Sequence, residues 1–141
     1  MLAPMRKCVV ALAAALLAMA TPSAAQKRAQ PALETFEFLG CSGDFDRQDI
    51  APEVWRLTRN GQISFLTHTV AACGLTGRTP RVTGDNESLD LSYELYSSSD
   101  VAIMCMCEYW AKFTFRSDAH AVKSVTFDGE QAVLRGTWPG R

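Results

Sequence analysis

Apolar and polar residues alternate along much of the chain after residue 32, and this pattern predicts β-strands. The segment Leu89–Leu95 places apolar residues at odd positions and polar residues at even positions. Because successive side chains of a strand point to opposite faces, this segment predicts a strand with one buried and one hydrated side. Similar strand-like segments occupy Leu33–Leu39, Val54–Arg59, Gln62–Val70 and Val101–Phe115.

Two turn sequences predict β-hairpins. Asn60-Gly61 separates two of these segments, and Asp128-Gly129 separates Val122–Phe127 from Gln131–Trp138. Such pairs favour the type I′ turn, which requires positive φ at both central residues. Short strands separated by turn residues predict an all-β domain, an antiparallel β-sandwich or small barrel of about seven strands. The segment Asp44–Pro52 is expected to be an acidic loop.

The N-terminal residues have the layout of a secretory signal peptide. Two basic residues, Arg6 and Lys7, precede the apolar segment Cys8–Ala20, and small residues continue to Ala25. The apolar segment is shorter than the ~20 residues that a membrane span needs. We therefore expect residues 1–25 to be removed, leaving a short disordered leader (26–32) and a single β domain (33–141) without a membrane span, in the periplasm or outside the cell.

Charge argues against some partner classes. The chain has 14 basic and 15 acidic residues, and removal of Arg6 and Lys7 changes its formal net charge from −1 to −3. Nucleic acids and anionic membrane surfaces require clustered basic residues, and no such cluster is present. The expected partner is an envelope or extracellular protein.

Four cysteines remain after the predicted cleavage, and they predict two disulfides: Cys41, Cys73, Cys105 and Cys107. In an extended strand, Cys105 and Cys107 have Cα atoms roughly 6.5–7 Å apart, whereas a disulfide needs Cβ atoms near ~4 Å. A bond between these two is therefore disfavoured. The two other connectivities, in which Cys41 pairs with either of them and Cys73 with the other, both remain open.

The segment Val101–Phe115 divides into two faces at a period of two. One face is apolar or small throughout and is predicted to lie in the core: Ile103, Cys105, Cys107, Tyr109, Ala111, Phe113 and Phe115. The other face carries Met104, Met106, Glu108, Trp110, Lys112 and Thr114. If nothing covers Met104, Met106 and Trp110, they form a candidate contact surface. Alternatively, a second sheet or the C-terminal segment near Trp138 covers them.

A soft-metal site is the alternative function. Methionine and cysteine are ligands that Cu(I) favours, but the alternation places the methionines and cysteines on opposite faces. A copper or zinc site would therefore use Cys105 and Cys107, with His68 or His120 added, although neither histidine has a ligand spacing. Redox catalysis is disfavoured because no Cys-x-x-C motif is present.

The sequence contains no catalytic signature. It lacks a nucleophile elbow, a phosphate-binding glycine loop and paired carboxylates. Asp44, Asp46 and Asp49 do not complete a calcium-binding loop, and His68 is expected at the surface. We therefore predict a binding or interaction module that is not an enzyme and has no cofactor or resident metal.

One resemblance follows from the cysteine pattern. The motif Cys105-x-Cys107-x-Tyr109, leading into alternating aromatic residues after a Cys73-Gly loop and an early Cys41, resembles small exported β-sandwich proteins of unknown function. The resemblance extends roughly from Phe36 to Phe127. It implies a β-sandwich with paired cysteines and no particular activity.

Overall fold

The computed structural model describes residues 29–44, 52–99 and 104–136. This part of the chain contains nine strands and one short 3-10 helix: β1 (Leu33–Asp44), β2 (Glu53–Arg59), β3 (Gln62–Ala72), β4 (Leu75–Gly84), β5 (Ser88–Ser97), β6 (Met106–Phe115), the helix (Ser117–Ala121), β7 (Ser124–Phe127), β8 (Glu130–Gln131) and β9 (Val133–Arg135). The predicted all-β class is confirmed, with nine strands instead of seven. The predicted signal peptide, most of the acidic loop, residues 101–103 and Trp138 lie outside the described residues.

The strands form two sheets. The larger sheet has the order β1-β6-β3-β2-β9, and the smaller sheet has the order β4-β5-β7-β8. Most neighbouring strands are antiparallel, as predicted, but β2 pairs with β9 and β5 pairs with β7 in parallel. Both sheets are therefore mixed.

Both predicted hairpins are present. Positive φ angles occur at both central residues of each turn: 51° at Asn60, 76° at Gly61, 52° at Asp128 and 80° at Gly129. The second hairpin is shorter than predicted, since β8 contains only two residues. The chain then crosses to the larger sheet, where β9 pairs with β2. The Val133 N–H donates to the Pro52 carbonyl at 2.9 Å at this crossing.

Strand β4 was not among the predicted strands. Its sequence LTGRTPRVTG lacks regular alternation and contains both Gly77 and Pro80. It is an edge strand, where proline is tolerated, and its pairing with β5 shifts register between Arg78 and Arg81. Gly77 allows a close approach to β1, because a Cβ atom there would lie 2.3 Å from the Phe38 ring.

The core lies between the two sheets. Its fully buried phenylalanines on the larger sheet are Phe65, Phe113 and Phe115, and they pack with Leu89, Leu91 and Val125 of the smaller sheet. The Tyr93 ring packs against three phenylalanines, with its centroid 6.3 Å from that of Phe113, 5.7 Å from that of Phe127 and 5.6 Å from that of Phe36. Burial raises the pKa of the Tyr93 phenol further above its ordinary value. The two sheets thus share one aromatic core.

Candidate functional site

The two disulfides connect β6 to different neighbours. Cys41 bonds Cys107 with Cα atoms 5.8 Å apart, and Cys73 bonds Cys105 with Cα atoms 5.5 Å apart. This connectivity is one of the two that the sequence left open. Strand β6 lies between β1, which carries Cys41, and β3, which ends one residue before Cys73. The Cys73 N–H also donates to the Cys105 carbonyl at 3.0 Å, so the β3–β4 turn is hydrogen-bonded to the residue preceding β6.

Tyr109 strengthens this arrangement. Its hydroxyl donates to the Ala72 carbonyl and accepts from the Leu75 N–H, both at 2.9 Å. These two residues flank the turn that contains Cys73. The turn is therefore held by the disulfide to Cys105, the residue before β6, and by the hydrogen bonds of Tyr109 on β6.

The pairing overturns the proposed use of Cys105 and Cys107 as metal ligands. A cysteine binds metal as a thiolate, and both sulfur atoms are engaged in disulfides. Within the three described segments, no three His, Cys, Asp or Glu side chains are grouped to hold a metal ion. His68 and His120 do not approach the cysteines as a ligand set: His68 pairs with Glu108, and His120 lies exposed in the 3-10 helix.

The predicted core face is confirmed from Cys107 to Phe115, whereas Cys105 of the same predicted face is only partly buried. Every described residue of that face from Cys107 to Phe115 is at most 1% exposed. The opposite face is divided. Met104 is fully exposed and Met106 is 45% exposed, whereas Trp110 is only 5% exposed. The three residues of the candidate contact surface therefore do not form one exposed strip.

Aromatic neighbours pack against Trp110. His68 lies opposite Trp110 in the β3–β6 register, with the ring centroids 4.9 Å apart. Trp55 of β2 approaches Trp110 at 5.1 Å and His68 at 6.2 Å. His68 is 6% exposed, so the expectation of a surface histidine was wrong. We call Trp55, His68 and Trp110 the aromatic cluster.

A carboxylate links the aromatic cluster to the first disulfide. Glu108 Oε1 lies 2.7 Å from His68 Nε2, and the Ser42 hydroxyl donates to Glu108 Oε2 at 3.4 Å. Ser42 follows Cys41 and Glu108 follows Cys107, so the disulfide brings the two side chains together. The sequence offered no direct signal for this link beyond their position next to cysteines.

The order of these groups determines what they do chemically. In a nucleophilic triad the imidazole lies between the hydroxyl and the carboxylate, because it must accept the hydroxyl proton. Here Glu108 lies between Ser42 and His68. The carboxylate thus orients the imidazole and ties β1 to β6 and β3, and the imidazole does not activate the hydroxyl.

The face of the larger sheet that points away from the core has an apolar end and a polar end. We call it the outer face. The aromatic cluster and Met106 lie towards the apolar end, where β6 begins. At the polar end, Lys112 forms an ion pair with Glu37, and the Ser64 and Thr114 hydroxyls are 2.9 Å apart. The apolar end therefore combines the largely buried aromatic cluster with the exposed Met106, and Glu108 lies between them on β6.

In a surface depression beside the start of β1, the charged side chains neutralise each other. The depression has a volume of about 610 Å³ and lies where Glu34 accepts hydrogen bonds from Arg116 at 2.8 Å and Gln62 at 2.9 Å. These hydrogen bonds, led by that of Arg116, hold the pKa of Glu34 below its ordinary value. Its charged groups already have partners within the chain.

No helix among the described residues is long and apolar enough to cross a membrane. Comparisons with protein-family models, with curated proteins and with solved structures found no match to this chain.

Proposed function

We propose that this protein is an exported, disulfide-stabilised β domain that acts as a binding module for another envelope or extracellular protein, without catalysis. The observation that carries this proposal is the exposure of Met104 (100%) and Met106 (45%) where the chain enters β6. Export is supported by the signal-like residues 1–25 and by the two intramolecular disulfides, which are typical of oxidising compartments.

Methionine suits a contact surface. Its unbranched, polarizable side chain adapts to the shape of a partner and buries a large apolar area. Exposed apolar groups of this kind mark interaction sites, and methionine is enriched in protein interfaces. The two residues therefore have the chemistry of a protein contact and lack the polar groups that a catalytic site requires.

The backbone around the methionines is constrained. Cys105 lies between them and is bonded to Cys73, and Cys107 directly after Met106 is bonded to Cys41. Binding to a preordered segment loses less conformational entropy than binding to a flexible one. Four residues beyond Met106 on the same strand, Trp110 is packed in the aromatic cluster. We expect the partner to pack apolar side chains against Met104 and Met106, because Glu108 lies between Met106 and the aromatic cluster.

A photo-crosslinking residue in place of Met104 tests the contact in the native cell. We expect a discrete protein adduct that is lost in the Met106→Asp variant, because a carboxylate cannot be desolvated in an apolar contact. Met106 is exposed, so its replacement should change the free energy of unfolding by no more than about 0.5 kcal/mol.

Val133→Asp is the matched control. Val133 is 44% exposed, close to the 45% of Met106, but lies on the edge strand β9. The adduct should persist in this variant. Failure to form an adduct in the parent protein, or an adduct unaffected by Met106→Asp, contradicts the proposal.

Export has its own test. We expect the mature protein in the periplasmic fraction or the medium, with Gln26 as its first residue, because small residues end the predicted signal at Ala25. Fractionation followed by N-terminal sequencing measures this directly. A cytoplasmic chain that retains residues 1–25 would show that the domain is not exported.

A further inference from the structure

Strand β5 is longer than β7, one of its two neighbours in the smaller sheet. It extends from Ser88 to Ser97, whereas its pairing with β7 covers only Ser88–Leu91. The Asp128 N–H donates to the Leu91 carbonyl at 3.0 Å, so Leu91 directs its backbone groups towards β7. Backbone groups of a strand alternate between its two sides. Tyr93, Leu95 and Ser97 therefore turn their N–H and C=O groups towards a side on which no described strand pairs with them.

This open side differs from the outer edge of the same sheet. Strand β4 forms that edge and carries Pro80, a register shift and two arginines, which are features that block strand addition. The second half of β5 has neither proline nor lysine, and its one charged residue, Glu94, is paired with Arg78 and Arg81 of β4. We call residues Ser92–Ser97 with the end of β7 the β5 notch. A strand edge without a paired neighbour in the described part of the chain is a template for an extended segment.

The β5 notch has an acidic end. A cavity of about 160 Å³ lies there, lined by Thr79, Arg81, Ser92, Tyr93, Glu94 and Asp128. Arg81 Nη2 donates to Glu94 Oε1 at 3.0 Å, so this cation already has a carboxylate partner. Within the described segments, no basic side chain forms an ion pair with Asp128.

The surroundings of Asp128 favour a positive charge. Partial burial, and then the negative charges of Asp90 and Glu130, raise the pKa of the Asp128 carboxyl. Asp90 itself accepts hydrogen bonds from Thr126 and from the Gly129 N–H. A cation placed beside Asp128 would offset the repulsion among these three carboxylates.

We propose that the β5 notch binds an extended, basic segment of a partner protein, which adds as a strand beside Tyr93–Ser97 and places a lysine or arginine next to Asp128. Main-chain hydrogen bonds to Tyr93, Leu95 and Ser97 hold the segment, and alternate apolar side chains turn inward towards Leu95. Charge complementarity at Asp128 selects a basic segment over an acidic one. This surface lies on the smaller sheet and is separate from the methionine contact.

Titration of the full-length protein with a capped pentapeptide of sequence TVKVT, followed by NMR, tests the proposal. We expect the amide signals of Tyr93, Leu95 and Ser97 to shift and their hydrogen exchange to slow, while the amides of Ser92 and Glu94, which face β4, change less. The acidic peptide TVEVT should bind more weakly. Shifts confined to other strands, or equal binding of both peptides, overturn the proposal.

Two variants examine the role of charge. Asp128→Asn keeps a residue that tolerates positive φ and should weaken TVKVT binding about two- to fivefold, as expected for one partly exposed ion pair. Glu130→Gln removes the same charge from the same hairpin, outside the cavity lining, and should weaken it less. Equal effects of the two variants overturn the assignment to Asp128.

Concentration-dependent NMR shifts of the β5 amides in the absence of peptide would identify a second copy of this chain as the occupant. This result would overturn the assignment of the notch to a partner protein.

Discussion

Replacement of both Cys41 and Cys107 by alanine lowers the free energy of unfolding by about 4 kcal/mol. The cross-link spans 66 residues, but Cys73–Cys105 lies inside it. With that inner disulfide intact, the shortest closed path passes from Cys41 to Cys73, crosses the inner bond and continues from Cys105 to Cys107. The loop that matters for chain entropy is thus about half as long as the sequence separation suggests.

Chemical denaturation of the double variant measures this loss. The Cys73→Ala, Cys105→Ala double variant is the matched control, because it removes a cross-link of 32 residues from the same strand end. We expect a smaller loss in the control, since Cys107 is completely buried and Cys105 is only partly buried. A loss below about 1 kcal/mol in the variant without Cys41 and Cys107 would show that this disulfide does not reduce the conformational entropy of the unfolded chain as expected. Domains of ordinary stability have a free energy of unfolding of about 5–15 kcal/mol, so the loss of either disulfide removes a large fraction of it.

The Phe113→Ala variant should lose about 3–5 kcal/mol, the range for truncation of a buried phenylalanine. Phe113 is completely buried on β6, between Phe36 of β1 and Phe65 of β3 in the sheet register. Its ring meets Phe36 edge-on at 5.0 Å and lies 6.3 Å from Tyr93 of the other sheet. Its removal would therefore leave a cavity bordered by residues of both sheets. The hydrogen bonds within each sheet keep the strands in place, so the cavity cannot close.

Lys112→Ala on the same strand is the control for Phe113→Ala. Lys112 points to the outer face and is paired with Glu37, and both side chains are partly exposed. Exposed ion pairs contribute about 0–1 kcal/mol, so this variant should change stability little. Urea unfolding of both variants, followed by tryptophan fluorescence, compares the two faces of β6. Similar losses in both would contradict the assignment of the core to the Phe113 face.

Strands with local signals could be predicted, and strands without them could not. Asn60-Gly61 and Asp128-Gly129 predicted both hairpins because the backbone conformation that each turn needs is favoured by those two residues themselves. Leu75–Gly84 was missed because Gly77 and Pro80 interrupt its alternation. Its pairing with β5 decides that it is a strand, and this pairing is a contact between separate segments.

In the candidate site, too, features with a local sequence signal could be predicted and features that depend on distant strands could not. Alternation correctly separated Met106 from Cys107 on β6, because side-chain direction in a strand follows from position alone. It could not predict the burial of Trp110, which depends on Trp55 and His68 from two other strands. It also could not predict the link between Ser42 and Glu108, since these residues are 66 positions apart and meet only through the disulfide-linked strands.

The sequence by itself determined the all-β class, the two hairpin turns, the inward face of β6 and the expectation that four cysteines pair. These features depend on residues next to or two positions from one another. The tertiary structure alone decided the strand order, the pairing of Cys41 with Cys107, the burial of Trp110 and the short β7 that leaves the β5 notch. Each of these depends on which distant strands become neighbours, and the free energy of that choice comes from packing between the two sheets.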